Sequence, residues 1–160
     1  MKTRIAAILL VAGLALLLVA AAPAPVETLP PAALKGEPAV KPGAAKGLFV
    51  WADAKGVHVR WTSDGKQALF AGSVELDKPF GKIDRVSKTA GGWVQGHGDR
   101  IVMFSATAAT ALDGFDLEAP AGAVAKLDAQ IDGNPADVGL VSFGEAGAHA
   151  KALPVKFVVR

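Results

Sequence analysis

The chain has 160 residues, room for one ordinary domain and little more. It contains no cysteine, which excludes a disulfide framework, a thiolate nucleophile, a lipidated cysteine and any Cys-based zinc site. Its 17 basic and 15 acidic residues give a formal charge of +2, and setting Lys2 and Arg4 aside brings the balance near zero. The sequence has no basic stripe with interleaved aromatics, so nucleic acid is not an expected partner.

The first residues have the layout of a secretory signal. Lys2 and Arg4 form a basic start, Ile5 to Ala22 is an unbroken apolar run, and Ala20, Ala21 and Ala22 supply small residues for cleavage after Ala21. The alternative is an uncleaved anchor, since such a run nearly spans a bilayer, and it is the one membrane association expected. An export signal on a cysteine-free chain points to a bacterial secreted or periplasmic protein. Residues 22–46 hold most of the prolines among Ala, Lys and Gly. With no periodic apolar face to repay ordering, they read as a disordered Pro/Ala-rich linker. Deleting them is expected to leave the melting temperature within a few degrees. That is less than the shift of about 4–8 °C that ~1 kcal/mol gives a domain this size. Calorimetry of the shortened chain checks it, and loss of a cooperative transition would mean that the linker packs on the domain.

Residues 47–160 alternate short apolar runs with Gly, Asp and Pro turns. Leu48 to Ala52 reads as a strand, closed by a turn over Asp53-Ala54-Lys55-Gly56. In GVHVRWT, Val57, Val59 and Trp61 share one face, and His58, Arg60 and Thr62 the other. The run from Gln67 to Leu76 alternates in the same way. With Asp64-Gly65 between them, these two runs carry the strongest hairpin signal in the chain.

Further strands are expected over Ile83 to Lys88, Trp93 to Gln95 and Ile101 to Ser105. The third is apolar on both faces and therefore central, and Gly96-His97-Gly98-Asp99 is expected to turn the chain before it. Over Ser105 to Leu112 the alanines favour a helix stopped by Asp113-Gly114, whereas Thr107 and Thr110 favour an extended path. We read it as non-helical. Phe115 and Leu117, Ala123 to Ile131, Val138 to Phe143 and Val155 to Val159 continue the alternation, with 144–153 as a small-residue loop. About eight to ten short strands with little helix predict an antiparallel β-sandwich, Ig-like or jelly-roll-like, with a closed barrel as the nearest alternative.

The residues that could carry chemistry are few. His58 lies on a polar strand face, His97 between glycines and His149 in an alanine-rich loop, none with a short-range His or carboxylate partner at metal-ligand spacing. No serine sits in a Gly-x-Ser-x-Gly elbow. Asp132, Asn134 and Asp137 place hard oxygens in one loop, a candidate calcium site and the one cofactor the sequence offers. Turn chemistry requires the same residue types. Loop carboxylates, including Asp113 and Asp116, are also the raw material of a small hydrolase.

Trp51 and Trp61 share faces with Phe49 and with Val57 and Val59, which is core behaviour. Trp93, between Gly91-Gly92 and a Gly/His turn, is the tryptophan most suited to exposure. The expected ligand contacts are therefore Trp93, His97, Arg60 and His58. The function expected is that of an exported, non-catalytic β-sandwich protein with a binding or structural role in the envelope or outside it. Its partner would be a polysaccharide or an envelope protein. A carbohydrate-binding module centred on Trp93 and a hydrolase using loop carboxylates are the alternatives.

Overall fold

A computed structural model describes residues 46–86, 92–108, 113–133, 140–144, 147–149 and 153–159. The expected signal and linker lie outside the described residues, save Lys46. Among the described residues all the regular structure is β. The strands are β1 (Gly47–Asp53), β2 (Gly56–Thr62), β3 (Ala68–Leu76), β4 (Ile83–Arg85), β5 (Gly92–His97) and β6 (Ile101–Ala108). They continue as β7 (Asp113–Glu118), β8 (Val124–Ile131), β9 (Leu140–Gly144), β10 (Gly147–His149) and β11 (Val155–Val158). They form two packed sheets, one of order β10-β9-β1-β2-β7-β4 and one of order β11-β8-β3-β6-β5. Every pairing is antiparallel except that of β1 with β9. The expected β-sandwich is what forms.

Period-2 alternation sets the two inner faces. Val57, Val59 and Trp61 of β2 meet Phe70 and Val74 of β3, Val102 and Phe104 of β6, Leu127 and Ile131 of β8, and Phe157 of β11. Trp61 lies at the centre, 0 % exposed. Its ring stacks on Phe104 at 5.5 Å and Phe70 at 6.5 Å, with Phe115 tilted against it at 6.2 Å.

The expected hairpin between β2 and β3 does not form. β2 pairs with β1 and β7, whereas β3 pairs with β6 and β8 in the other sheet. Residues 63–67 cross between the sheets, with Ser63 buried and its hydroxyl donating to the Lys66 carbonyl, and Gly65 at φ +96°. Trp61 and Phe70 therefore face each other across the core instead of lying side by side. The hairpin in this part of the chain is β1–β2, closed by the expected Asp53–Gly56 turn, where Asp53 Oδ1 accepts the Lys55 N–H at 2.8 Å.

Other differences are local. His97 ends β5, and the turn begins at Gly98. Ser105 to Ala108 completes β6 in extended form, and 109–112 lie outside the described residues. Asp113-Gly114 is no stop but the start of β7. Gly114 stands opposite Arg60, where a Cβ would overlap the Val59 carbonyl oxygen and press on Arg60. Gly147–His149 adds a strand within the expected loop. Trp51 is buried as expected, yet on the outer face of its sheet, away from the core that holds Leu48, Val50 and Ala52.

Candidate functional site

The four expected ligand contacts divide between the two outer faces. His58 and Arg60 lie on the six-stranded sheet, Trp93 and His97 on the five-stranded one.

On the six-stranded sheet, cross-strand pairing aligns Trp51, His58, Asp116 and Asp84 in one row. His58 is buried, with Nδ1 at 2.7 Å from Asp116 Oδ1 and Nε2 at 3.0 Å from Asp53 Oδ1. Ionised carboxylates only accept, so His58 is the donating partner to these acids. Trp51 stacks on the imidazole at 4.8 Å, and the Arg60 guanidinium lies 4.9 Å from the Trp51 ring centroid. Arg60 also donates to Asp116 Oδ1 at 2.7 Å and to the Phe115 and Val59 carbonyls. His58 and Arg60 are thus tied together through Asp116, which offsets much of the cost of burying them, while Arg60 Nε and the buried Thr62 hydroxyl beside them have no partner among the described residues.

A cleft of about 760 Å³ opens beside this network, lined by His58, Asp84, Asp116, Glu118 and Lys55 with Phe80. Its carboxylates are engaged. Asp116 holds His58 and Arg60, Asp84 pairs with Lys82 at 2.7 Å, and Glu118 accepts the Lys82 backbone N–H at 3.3 Å. Partial burial works against charge on Asp53 and Asp116. The hydrogen bond from His58, joined by the Lys55 N–H at Asp53 and by Arg60 at Asp116, nevertheless holds both carboxyls below the ordinary range. Groups lowered in the folded state contribute stability that is complete above the unfolded value and is lost as pH falls through the folded one. Thermal stability is therefore expected to fall below about pH 4. In Asp116→Asn the acid limb should be shallower, as melting curves from pH 6 to pH 2 will show. An identical limb in the variant would remove Asp116 from the account.

On the five-stranded sheet the rows run differently. Trp93, Ser105, Ala71 and Gln130 lie in one cross-strand row, and Gln95, Met103, Ser73 and Asp128 in the next. Trp93 is 48 % exposed and Met103 is exposed beside it, while Ala71, Ser73 and Ser105 keep the middle of the sheet low. The result is a groove of about 600 Å³ with a ring and thioether on one side and Asp128 and Gln130 on the other. With strands ~4.8 Å apart, three steps from Trp93 to Gln130 span roughly 14 Å. The side chains of Trp93, Ser73, Ser105, Asp128 and Gln130 make no hydrogen bond or ion pair among the described residues. They present donors and acceptors to solvent, in contrast to the tied network opposite. His97 shares this face, one further row along, opposite Ile101.

Only Trp93 of the groove residues stood out in the sequence. Ser73, Met103, Ser105, Asp128 and Gln130 occupy the wet positions of their strands, and their common neighbourhood emerges only from the register. For the calcium candidate, Asn134 and Asp137 lie outside the described residues. Asp132 Oδ2 accepts from Lys46 and Oδ1 accepts the Leu69 N–H at 2.8 Å, contacts that lower its pKa. Among the described residues no group of three or more His, Asp or Glu is placed to hold a metal ion. His149 falls in β10. No protein-family model, curated protein or solved structure matches this chain.

Proposed function

We propose that this chain is an exported, non-catalytic binding module of the bacterial envelope or exterior, and that it holds a saccharide chain on the outer face of its five-stranded sheet. The observation that carries this reading is Trp93, a half-exposed indole at the head of a row of small and amide side chains with unused hydrogen-bonding capacity. A sugar ring has an apolar C–H face and a hydroxyl rim. The indole suits the first, and Ser, Gln and Asp side chains suit the second. A groove of some 14 Å accommodates a run of sugars rather than one ring. It is open and shallow, which serves retention better than a reaction needing water excluded.

The hydrolase reading would draw on the cleft beside β7, but its carboxylates are already bonded to His58, Arg60 and Lys82. The export signal of Lys2, Arg4 and the apolar run after them supports a place where such polymers occur. The test is a screen of the protein against immobilised plant, fungal and bacterial polysaccharides, with Trp93→Ala in parallel. Retention by the parent and loss in the variant is the expected result. No retention on any saccharide would overturn the reading.

A further inference from the structure

The groove contains one charged side chain. Asp128 stands on β8 beside Ser73 and opposite the Trp93–Met103 side, exposed and without a hydrogen bond or ion pair among the described residues. The nearest charges along the face do not offset it within the groove. Lys126 and Glu75 occupy the next row and pair with each other at 3.8 Å, and Lys156 lies beyond them on β11. A carboxylate only accepts hydrogen bonds and repels other anions. An unpaired one beside a stacking ring suits hydroxyls and opposes carboxylated, sulfated or phosphorylated sugars.

We infer that the groove selects uncharged, hydroxyl-rich glycans over acidic ones and that Asp128 is the residue that sets this selectivity, an inference that rests on the saccharide-binding reading above. The physical terms are separable. Stacking on Trp93 is available to either class of sugar, because both present a C–H face. Discrimination arises at Asp128, where a hydroxyl donates a hydrogen bond and an anion meets a like charge. Specificity of this kind depends on the repulsive element as much as on the attractive one. Asp128 can be replaced without disturbing the fold, since its side chain is outside the core and bonds to nothing that would be left unpaired.

The experiment uses the intact protein and soluble probes in two sets. The neutral set is hexamers of β-1,4-glucose, β-1,4-xylose, β-1,4-mannose and N-acetylglucosamine. The acidic set is oligomers of galacturonate and of mannuronate, with a sulfated glycosaminoglycan hexamer. Affinities are measured by titration calorimetry at low ionic strength for the parent, Asp128→Asn and Asp128→Lys. The parent is expected to bind at least one neutral probe and to bind every acidic probe at least roughly tenfold more weakly, the scale of one lightly screened charge at a few ångström.

Asp128→Asn should weaken the neutral probes, because a sugar hydroxyl then meets an uncharged acceptor, and strengthen the acidic ones, so that the gap narrows. Asp128→Lys should reverse it, in a manner that fades as salt is raised past the range where surface charges are screened. Far-UV circular dichroism and melting curves matching the parent show that each variant is folded. Acidic probes that bind the parent as tightly as neutral ones would overturn the selectivity and leave the saccharide reading standing, as would a gap unchanged in both variants. Failure of every probe, neutral and acidic, would count against the saccharide reading itself.

Discussion

Trp61→Ala is expected to cost about 3–5 kcal/mol, the range for emptying a large aromatic site in a core. Trp61 is wholly buried and touches Phe70, Phe104 and Phe115, which belong to strands of both sheets. Its removal leaves a void that neither sheet can fill alone, because the rings around it also pack on one another, Phe104 and Phe115 at 5.5 Å. Whole domains are stable by only about 5–15 kcal/mol, and this chain has no disulfide to hold a loosened core. The variant should unfold at a much lower urea concentration or fail to fold at 37 °C. Trp61→Phe should recover most of the loss. The buried Nε1 has no hydrogen-bond partner among the described residues, so the shorter ring sacrifices volume and no bond. Urea titration of both variants decides the point, and a cost near 1 kcal/mol for alanine would mean that the sheets close over the gap.

The same substitution at Trp93 should do the reverse. Half the indole is already in water, and it lies on the outer face of edge strand β5, so truncation empties no core site. The stability change is expected to be roughly 1 kcal/mol or less. Saccharide binding should fall at least about 30-fold, the equivalent of the 2 kcal/mol that marks a dominant aromatic contact. Calorimetric titration of parent and variant with the same oligosaccharide gives the number. Retained affinity with unchanged stability would remove the ring from the site, and a large loss of stability would make it a structural residue.

The two tryptophans show how far the sequence alone carries the fold. Alternation within a strand assigns faces, and it placed Trp61 inward with Val57 and Val59 correctly. It does not assign partners. Asp64-Gly65 has the residues of a hairpin turn, but the same residues close a crossing between sheets, and only the long-range pairing of β3 with β6 and β8 separates the cases.

Polar faces were misread for a related reason. His58 and Arg60 alternate with apolar residues and so look wet. In the fold they are buried, because Asp53 and Asp116 bond to the imidazole, Asp116 also takes a guanidinium N–H, and Trp51 lies over both side chains. Asp116 comes from a strand more than fifty residues away, and nothing local announces it. The groove had the same obscurity. Trp93 was visible as a lone aromatic among glycines, but Ser73, Ser105 and Asp128 become its neighbours through the register of four strands.

β1 lies inside its sheet, with β2 on one side and β9 on the other. The chain preceding Lys46 therefore enters the fold at an interior strand. Tension pulled through that segment along the strand axis would act on both ladders in shear, with Gly47 to Asp53 held against Thr62 to Gly56. It could not peel one hydrogen bond at a time, as it would from an edge. A protein held by its N-terminal segment and gripping a polymer on the opposite sheet would transmit force through a strand paired on both sides. Single-molecule pulling from the N-terminal side should give a high, abrupt rupture instead of a gradual unzipping.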